Sequence, residues 1–265
     1  MNSTVAKPAL VMLLGCSLPV SALGEDGNSW SPQWSVGLGV GQTELEFPEK
    51  LDADTTFGSY HALVGLRLGR FSTGLTYGDA LTRETISEED ELGEGERRDI
   101  DLTAGWDLND AWTLFIGYKD GKTDLDLQVR DTDITLRESY QEEGLYAGVA
   151  YRHTLGRAGT LSLSLAYIDL DTDLRFSSDS ASDDEDEEDD DEGESLEFDD
   201  LEGRVSGDAT GYSAALGWIL PVGDRTAVRV QYKINQYDLE VRAEGRRFKP
   251  EQRLNFFDLT LIHVF

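Results

Sequence analysis

Cysteine is nearly absent: Cys16 is the sole one in 265 residues. It lies in the N-terminal segment, so the body of the chain has no disulfide framework to lean on. Histidine is scarce, with His61, His153 and His263 the full set. No GxSxG elbow, HExxH helix or phosphate-binding glycine loop occurs. The expectation is therefore no enzyme, no catalytic residue and no cofactor. Beyond the N-terminus no apolar run approaches the roughly 18 residues a spanning helix needs. Basic residues are outnumbered, 23 Lys and Arg against 53 Asp and Glu, for a net charge of −30. Such a chain repels phosphate backbones, which excludes nucleic acid as a partner. Cations are its natural small partners.

What is present points to strands. Glycine numbers 27, proline only 6, and 39% of residues are apolar against 29% charged. That is too polar for a helical membrane protein. A β-barrel needs apolar side chains on only one face of each strand.

Residues 1–22 read as a signal peptide. Lys7 supplies the positive start, Leu10 to Leu18 the apolar stretch, and Val20-Ser21-Ala22 the compact cleavage residues. Cleavage after Gly24 is an alternative, and Leu13-Leu14-Gly15-Cys16 loosely resembles a lipoprotein box, which would lipidate Cys16. Residues 23–33 then form a short periplasmic segment and 34–265 a single barrel domain.

Period-two alternation runs through that domain. Trp34, Val36, Leu38 and Val40 alternate with Ser35, Gly37, Gly39 and Gly41. Trp112, Leu114, Ile116 and Tyr118 alternate with Thr113, Phe115, Gly117 and Lys119. Eight further segments repeat the pattern, the last with Phe257, Leu259, Leu261 and Phe265 on one parity. An even count of about ten strands suits a single-chain antiparallel up-and-down barrel. The links sort into two classes. Long polar ones fall at 48–57, 84–97, 127–134, 171–207 and 243–251. Short ones fall near Arg70, Asn109-Asp110, 154–158 and 221–225. Outer-membrane barrels show this asymmetry, with long loops outside and short turns, and here both termini, in the periplasm.

The aromatics sort along the same axis. Trp34, Trp106, Trp112 and Trp218 fall at the periplasmic edge of the apolar band. Tyr60, Tyr77, Tyr118, Tyr167, Tyr212 and Tyr232 fall at the outer edge, and Phe71, Tyr151 and Phe265 complete the set of interface aromatics. A soluble β-sandwich also alternates its faces, but it has no reason to sort tryptophan from tyrosine in this way.

The segment Leu254-Asn255-Phe256-Phe257-Asp258-Leu259-Thr260-Leu261-Ile262-His263-Val264-Phe265 resembles the terminal strand of Gram-negative outer-membrane proteins. That family typically ends in Phe with apolar or aromatic residues at alternate positions before it. Phe265, Leu261, Leu259 and Phe257 match, whereas His263 departs from the usual aromatic. The resemblance is to the small outer-membrane β-barrel superfamily as a whole. It implies an integral bacterial outer-membrane location and recognition by the barrel-assembly machinery. The surrounding lipid and lipopolysaccharide would be its constant partners.

On this register the lumen receives Arg67, Lys119, Arg152, Arg229 and Lys233 against Asp99, Asp101, Asp107, Glu142 and Asp258. The signs nearly balance, as an ion-pair network filling a small barrel would require. A closing network of Arg229 and Lys233 with Asp99 and Asp101 is expected. His61 is expected to point inward near Asp79 or Asp99. Phe115, Ile168 and Ile262 hint at an apolar lumen with a side opening. The longest loop, about 171–207, carries the unbroken acids from Asp183 to Glu192 and is expected to be disordered. Asp183, Asp184, Asp186, Asp189, Asp190 and Asp191 are candidates for diffuse Ca²⁺ or Mg²⁺ binding. The leading expectation is a structural or surface-interaction barrel acting through acidic loops. The alternative is a narrow cation-preferring pore.

Overall fold

Residues that alternate apolar and polar with period two bury or expose a whole face at once. The computed structural model describes residues 31–46, 54–81, 84–87, 91–129, 134–180, 203–243, 246–248 and 251–265. The expected signal peptide, Cys16 and the acidic run 183–192 lie outside the described residues.

The strands are β1 (Gln33–Glu46), β2 (Asp54–Leu68), β3 (Phe71–Ala80), β4 (Glu84–Ser87), β5 (Glu91–Asp107), β6 (Trp112–Val129), β7 (Ile134–Thr154), β8 (Thr160–Ser180), β9 (Gly203–Pro221), β10 (Thr226–Ala243), β11 (Arg246–Phe248) and β12 (Glu251–Val264). Ten of them form a closed antiparallel ring, each paired with its neighbours in chain order. The short β4 and β11 pair only with the protruding parts of β5 and β10. β1 and β12 close the ring, with Leu38 opposite Leu261, and the Phe265 N–H donates to the Trp34 carbonyl at 2.9 Å. Closure leaves the ten-stranded ring itself without an edge strand.

Four tight connections gather at one end, the turn end. Gly69 supplies the left-handed backbone of the β2–β3 turn at φ +58°. Asn109 Oδ1 accepts the N–H groups of Ala111 and Trp112 at 2.9 and 3.0 Å and so holds the β5–β6 turn. A single 3₁₀ turn, Gly156–Ala158, joins β7 to β8, and residues 222–225 join β9 to β10.

At the opposite, loop end the strands run further than their polarity suggests. Residues 84–97, expected as a loop, hold β4 and the first seven residues of β5. The expected loop 171–207 narrows to 181–202, because β8 continues to Ser180 and β9 starts at Gly203. Between 243 and 251 the chain forms β11, between 48 and 57 it is already in β2 at Asp54, and the 127–134 link shortens because β6 continues to Val129. The cause is ladder pairing. A β-hairpin continues while its backbone groups pair, and above an apolar band neither face has to be apolar. Beyond Tyr167 β8 runs thirteen further residues to Ser180, on the order of 40 Å at ~3.3 Å per residue.

The outward face is apolar in a continuous band, with Leu38 72% exposed and Val64, Leu102, Ile116, Leu165 and Leu259 also exposed. All thirteen expected interface aromatics lie on this outer surface, each exposed. The inward face alternates small with large. Tyr146 leans across the barrel wall onto Gly117, His61 onto Gly39, and Phe115 onto Gly148. An added Cβ at Gly117 would overlap the Tyr146 ring, which Thr103 and Asp101 hold in place. Gly117→Ala is therefore expected to destabilise the refolded protein by about 1–3 kcal/mol in urea titrations. The same change in a Tyr146→Ala background should cost almost nothing; an equal cost there would place the clash elsewhere.

Candidate functional site: lumen and rim

Polar side chains that face inward in a closed barrel leave water and must find partners within the lumen. They do so in tiers. Nearest the turn end, Asp107 receives Arg67 Nη2 at 2.6 Å, Arg152 Nη2 at 2.7 Å and the Thr113 hydroxyl at 2.5 Å. Arg152 also donates to the Asp110 carbonyl at 2.7 Å, which ties this tier to the β5–β6 turn. Above it Leu63, Phe115, Ile219 and Ile262 are buried across the lumen.

In the middle tier His61 bonds Thr260 at 2.7 Å, and its Nε2 lies 3.8 Å from Asp258. His61 thus meets β12 rather than the expected Asp79 or Asp99, because β1 alone separates β2 from β12. Arg229 donates to Asp258 at 2.9 Å and to the Thr260 hydroxyl at 3.0 Å. That hydroxyl is buried, accepts from Arg229 and donates to Asp258 at 3.1 Å. Asp101 accepts the Tyr146 hydroxyl at 2.5 Å and that of Thr103 at 2.8 Å.

The upper tier is built on Glu142, 0% exposed. Its Oε1 takes Arg97 Nη2 at 2.6 Å and the Lys119 ammonium. Arg97 also grips Asp99 with two parallel bonds, at 2.9 and 2.8 Å, and bonds Thr123 at 2.8 Å. Lys119 reaches the Tyr237 hydroxyl at 3.3 Å. Arg97, only 3% exposed, was hidden in the expected 84–97 loop and is the one cation at the centre of the site that sequence reasoning missed. Its parity with Asp99 and Asp101 was the available signal.

The expected Arg229 and Lys233 pairing with Asp99 and Asp101 does not form. Arg229 is taken by Asp258, and the Lys233 ammonium sits 4.8 Å from the centroid of the Phe256 ring. Phe115, Ile168 and Ile262 do face inward, but they are buried in the packing and open no side passage. Beside the upper tier a cavity of about 120 Å³ remains, lined among others by His61, Asp101, Gln231, Lys233 and Phe256.

On the outside, just loop-ward of the tyrosines, the registers align carboxylates. Asp120 stands opposite Glu143, Glu143 opposite Asp171, Asp171 opposite Asp208, and Asp208 opposite Glu240. Five acids thus cross five strands in one outward row. Like charges directly opposite one another repel. Among the described residues no group of three or more His, Cys, Asp or Glu could cage a metal ion, so the row is a charged strip rather than a coordination site. The acids proposed from sequence for diffuse cation binding, Asp183 to Asp191, lie outside the described residues.

Removing the Glu142 charge takes away the Lys119 ion pair and one of the two carboxylates on Arg97 Nη2 in the interior. Glu142→Gln is expected to cost about 3–5 kcal/mol in urea unfolding of the refolded barrel. The outward neighbour Glu143→Gln should stay within about 0.5 kcal/mol of the parent. Equal effects would remove Glu142 from the centre of the lumen network.

The overall fold is similar to that of the outer membrane protease OmpT from Escherichia coli, at 11% identity, covering 91% of this chain and 100% of that one with a TM-score of 0.53. It is also similar to the translocator domain of the autotransporter NalP from Neisseria meningitidis, at 12% identity, covering 90% of each chain with a TM-score of 0.51. No family model matches the chain, and no curated protein matches its sequence. At such identities the likeness carries the fold alone: a closed ten-stranded antiparallel barrel of the outer-membrane type.

Proposed function

We propose that this chain is an integral outer-membrane barrel whose lumen is closed to through-flow and whose loop end works as an acidic surface-interaction platform. The packed lumen carries the reading. Tyr237, Leu254, Glu142 and Ile219 are all essentially inaccessible, and they come from β10, β12, β7 and β9. A conducting pore needs a continuous wet path along the axis, and these tiers cross it. The exposed apolar band between a tryptophan-rich and a tyrosine-rich belt supports membrane insertion, since water would penalise so large a contiguous patch. The short turns then face the periplasm, with both termini, and the long strands project outward.

The outward acidic row supports the choice of partner. It begins two residues beyond Tyr118 and lies four residues beyond Tyr167 and Tyr212. That is the depth of lipid headgroups. Anionic phosphates there would repel the row unless divalent cations bridge the two, and hard cations prefer such oxygens. Lipopolysaccharide held through Ca²⁺ or Mg²⁺ is the partner this arrangement fits.

The refolded protein is expected to give no steady conductance in planar bilayers once insertion is shown by protease protection. Stable, cation-selective openings would overturn the closed-lumen reading in favour of a narrow pore.

A second measurement addresses the rim. Adding Mg²⁺ should raise the melting temperature. Asp171→Asn with Asp208→Asn should raise stability in chelator, by about 0.2–1 kcal/mol for each relieved pair, and blunt the Mg²⁺ response. An unchanged Mg²⁺ response in that variant would remove the row from cation binding.

A further inference from the structure

Gln231 on β10 is 1% exposed and borders the cavity of the upper lumen, yet neither its amide oxygen nor its amide nitrogen has a hydrogen-bond partner. Arg229, two residues away on the same face, leaves its Nε without a partner as well. Buried amides are almost always satisfied, so an amide with both ends idle beside a cavity calls for a further partner. The next residue on that face, Lys233, borders the same cavity and makes no ion pair among the described residues; its ammonium rests against the Phe256 ring. β10 therefore presents three successive inward donors, all cationic or amide.

Across the cavity stands the opposite charge. Asp101 uses Oδ1 for both of its hydroxyl donors; Lys233 acts on it electrostatically across the cavity, beyond ion-pair distance. Asp99 is held by Arg97 alone at hydrogen-bond distance, with Lys119 at 4.0 Å. The cavity thus has a positive side at Lys233 and a negative side at Asp101, which face each other without direct contact. Of its other lining charges Arg97 pairs with Asp99 and Arg229 with Asp258, and Lys119 and Asp79 are of opposite sign.

That balance decides the ligand. A lone anion or a lone cation would enter an interior whose charges already sum to near zero, and its desolvation would go uncompensated. A molecule carrying both charges satisfies both sides at once. The volume, about 120 Å³, admits a small molecule. We propose that the upper lumen is a binding site for a small zwitterion of the α-amino-acid class. The ligand carboxylate lies on Lys233, the Gln231 amide and Arg229 Nε, and its ammonium faces Asp101 and Asp99. Toward the turn end the packed tiers of Leu63, Phe115 and Ile262 seal the cavity, so the site is a blind receptor pocket and not a station in a channel.

The site does not depend on the barrel's orientation or on its silence in bilayers, so its test is separate from that of the closed lumen. Equilibrium dialysis of the refolded full chain in detergent micelles against labelled L-alanine measures it directly. Saturable binding is expected, with competition by unlabelled L-alanine. Acetate, which has only the carboxylate, and ethylamine, which has only the ammonium, should each compete at least about tenfold more weakly, because each leaves one buried charge unmatched. Lys233→Met and Gln231→Leu should each weaken L-alanine binding by about tenfold or more while the heat-modifiable gel shift reports an intact barrel. Leu38→Ala, on the outer surface, should leave it unchanged. Absence of saturable L-alanine binding to folded protein overturns the proposal and leaves water as the partner of Gln231. Acetate competing as well as L-alanine overturns the zwitterion in favour of a simple anion. Unaltered binding by both lumen variants places any site elsewhere.

Discussion

The constraint on which the rest depends is the one-sidedness of a closed antiparallel ring. Each strand between the aromatic belts gives every second side chain to the outer surface, and those are apolar apart from Thr73 and, near the turn end, His263. The charged residues of the band are thereby forced into a lumen ten strands wide. Ten strands enclose little more than side chains can fill. Charges forced into that space either pair or unfold it, which is why Asp107, Glu142 and Asp258 each hold a cation. The network is the consequence of the lipid-facing band, not an addition to it.

The same ladder has the opposite effect above the belts. There the outer face meets water and headgroups, and nothing requires opposite charges to alternate. Register brings Asp120, Glu143, Asp171, Asp208 and Glu240 side by side, and the backbone bonds hold them there. Inside, carboxylates are neutralised by this chain's own arginines and lysines. Outside, Glu143 accepts from the Tyr118 hydroxyl and Asp120 from the Gln141 amide, neutral donors that leave their charge in place. The 53 acids of the chain outnumber its 23 basic residues, and Arg67, Arg97, Lys119, Arg152 and Arg229 are spent in the lumen.

The parity of the ten barrel strands was legible because period two is a local property: each outward residue from Trp34 to Phe265 can be read from its neighbours. Strand ends were not legible at the loop end, where polarity no longer distinguishes a paired strand from a loop. That is why Arg97 was assigned to a connection although it shares a face with Asp99. Nor can local pattern say which charges meet. Arg97 reaches Glu142 across β6, and His61 reaches Thr260 across β1; both depend on inter-strand register and tilt. The inventory of lumen charges was therefore readable and their pairing was not. Lys233 shows the difference, being inward as expected but set on Phe256 in place of a carboxylate.

Where the lumen fills and where it stays open follows from glycine. Gly117, Gly39 and Gly148 each receive a large side chain from an adjacent strand, and the interior is solid beside them. Gly78 on β3 is different: a Cβ there would meet nothing closer than 3.8 Å, and that glycine borders the cavity. The neighbouring inward residues, Ser59 and Thr76, are too small to fill the gap. Tyr146, bonded to Asp101 of the cavity lining, is committed to Gly117. The cavity is thus the place where the small–large alternation lacks its large member. Voids left by such a mismatch are ordinarily apolar and dry. This one is bounded by Gln231, Lys233 and Asp101, so the energy that packing forgoes at Gly78 is recovered only when a polar occupant fills it.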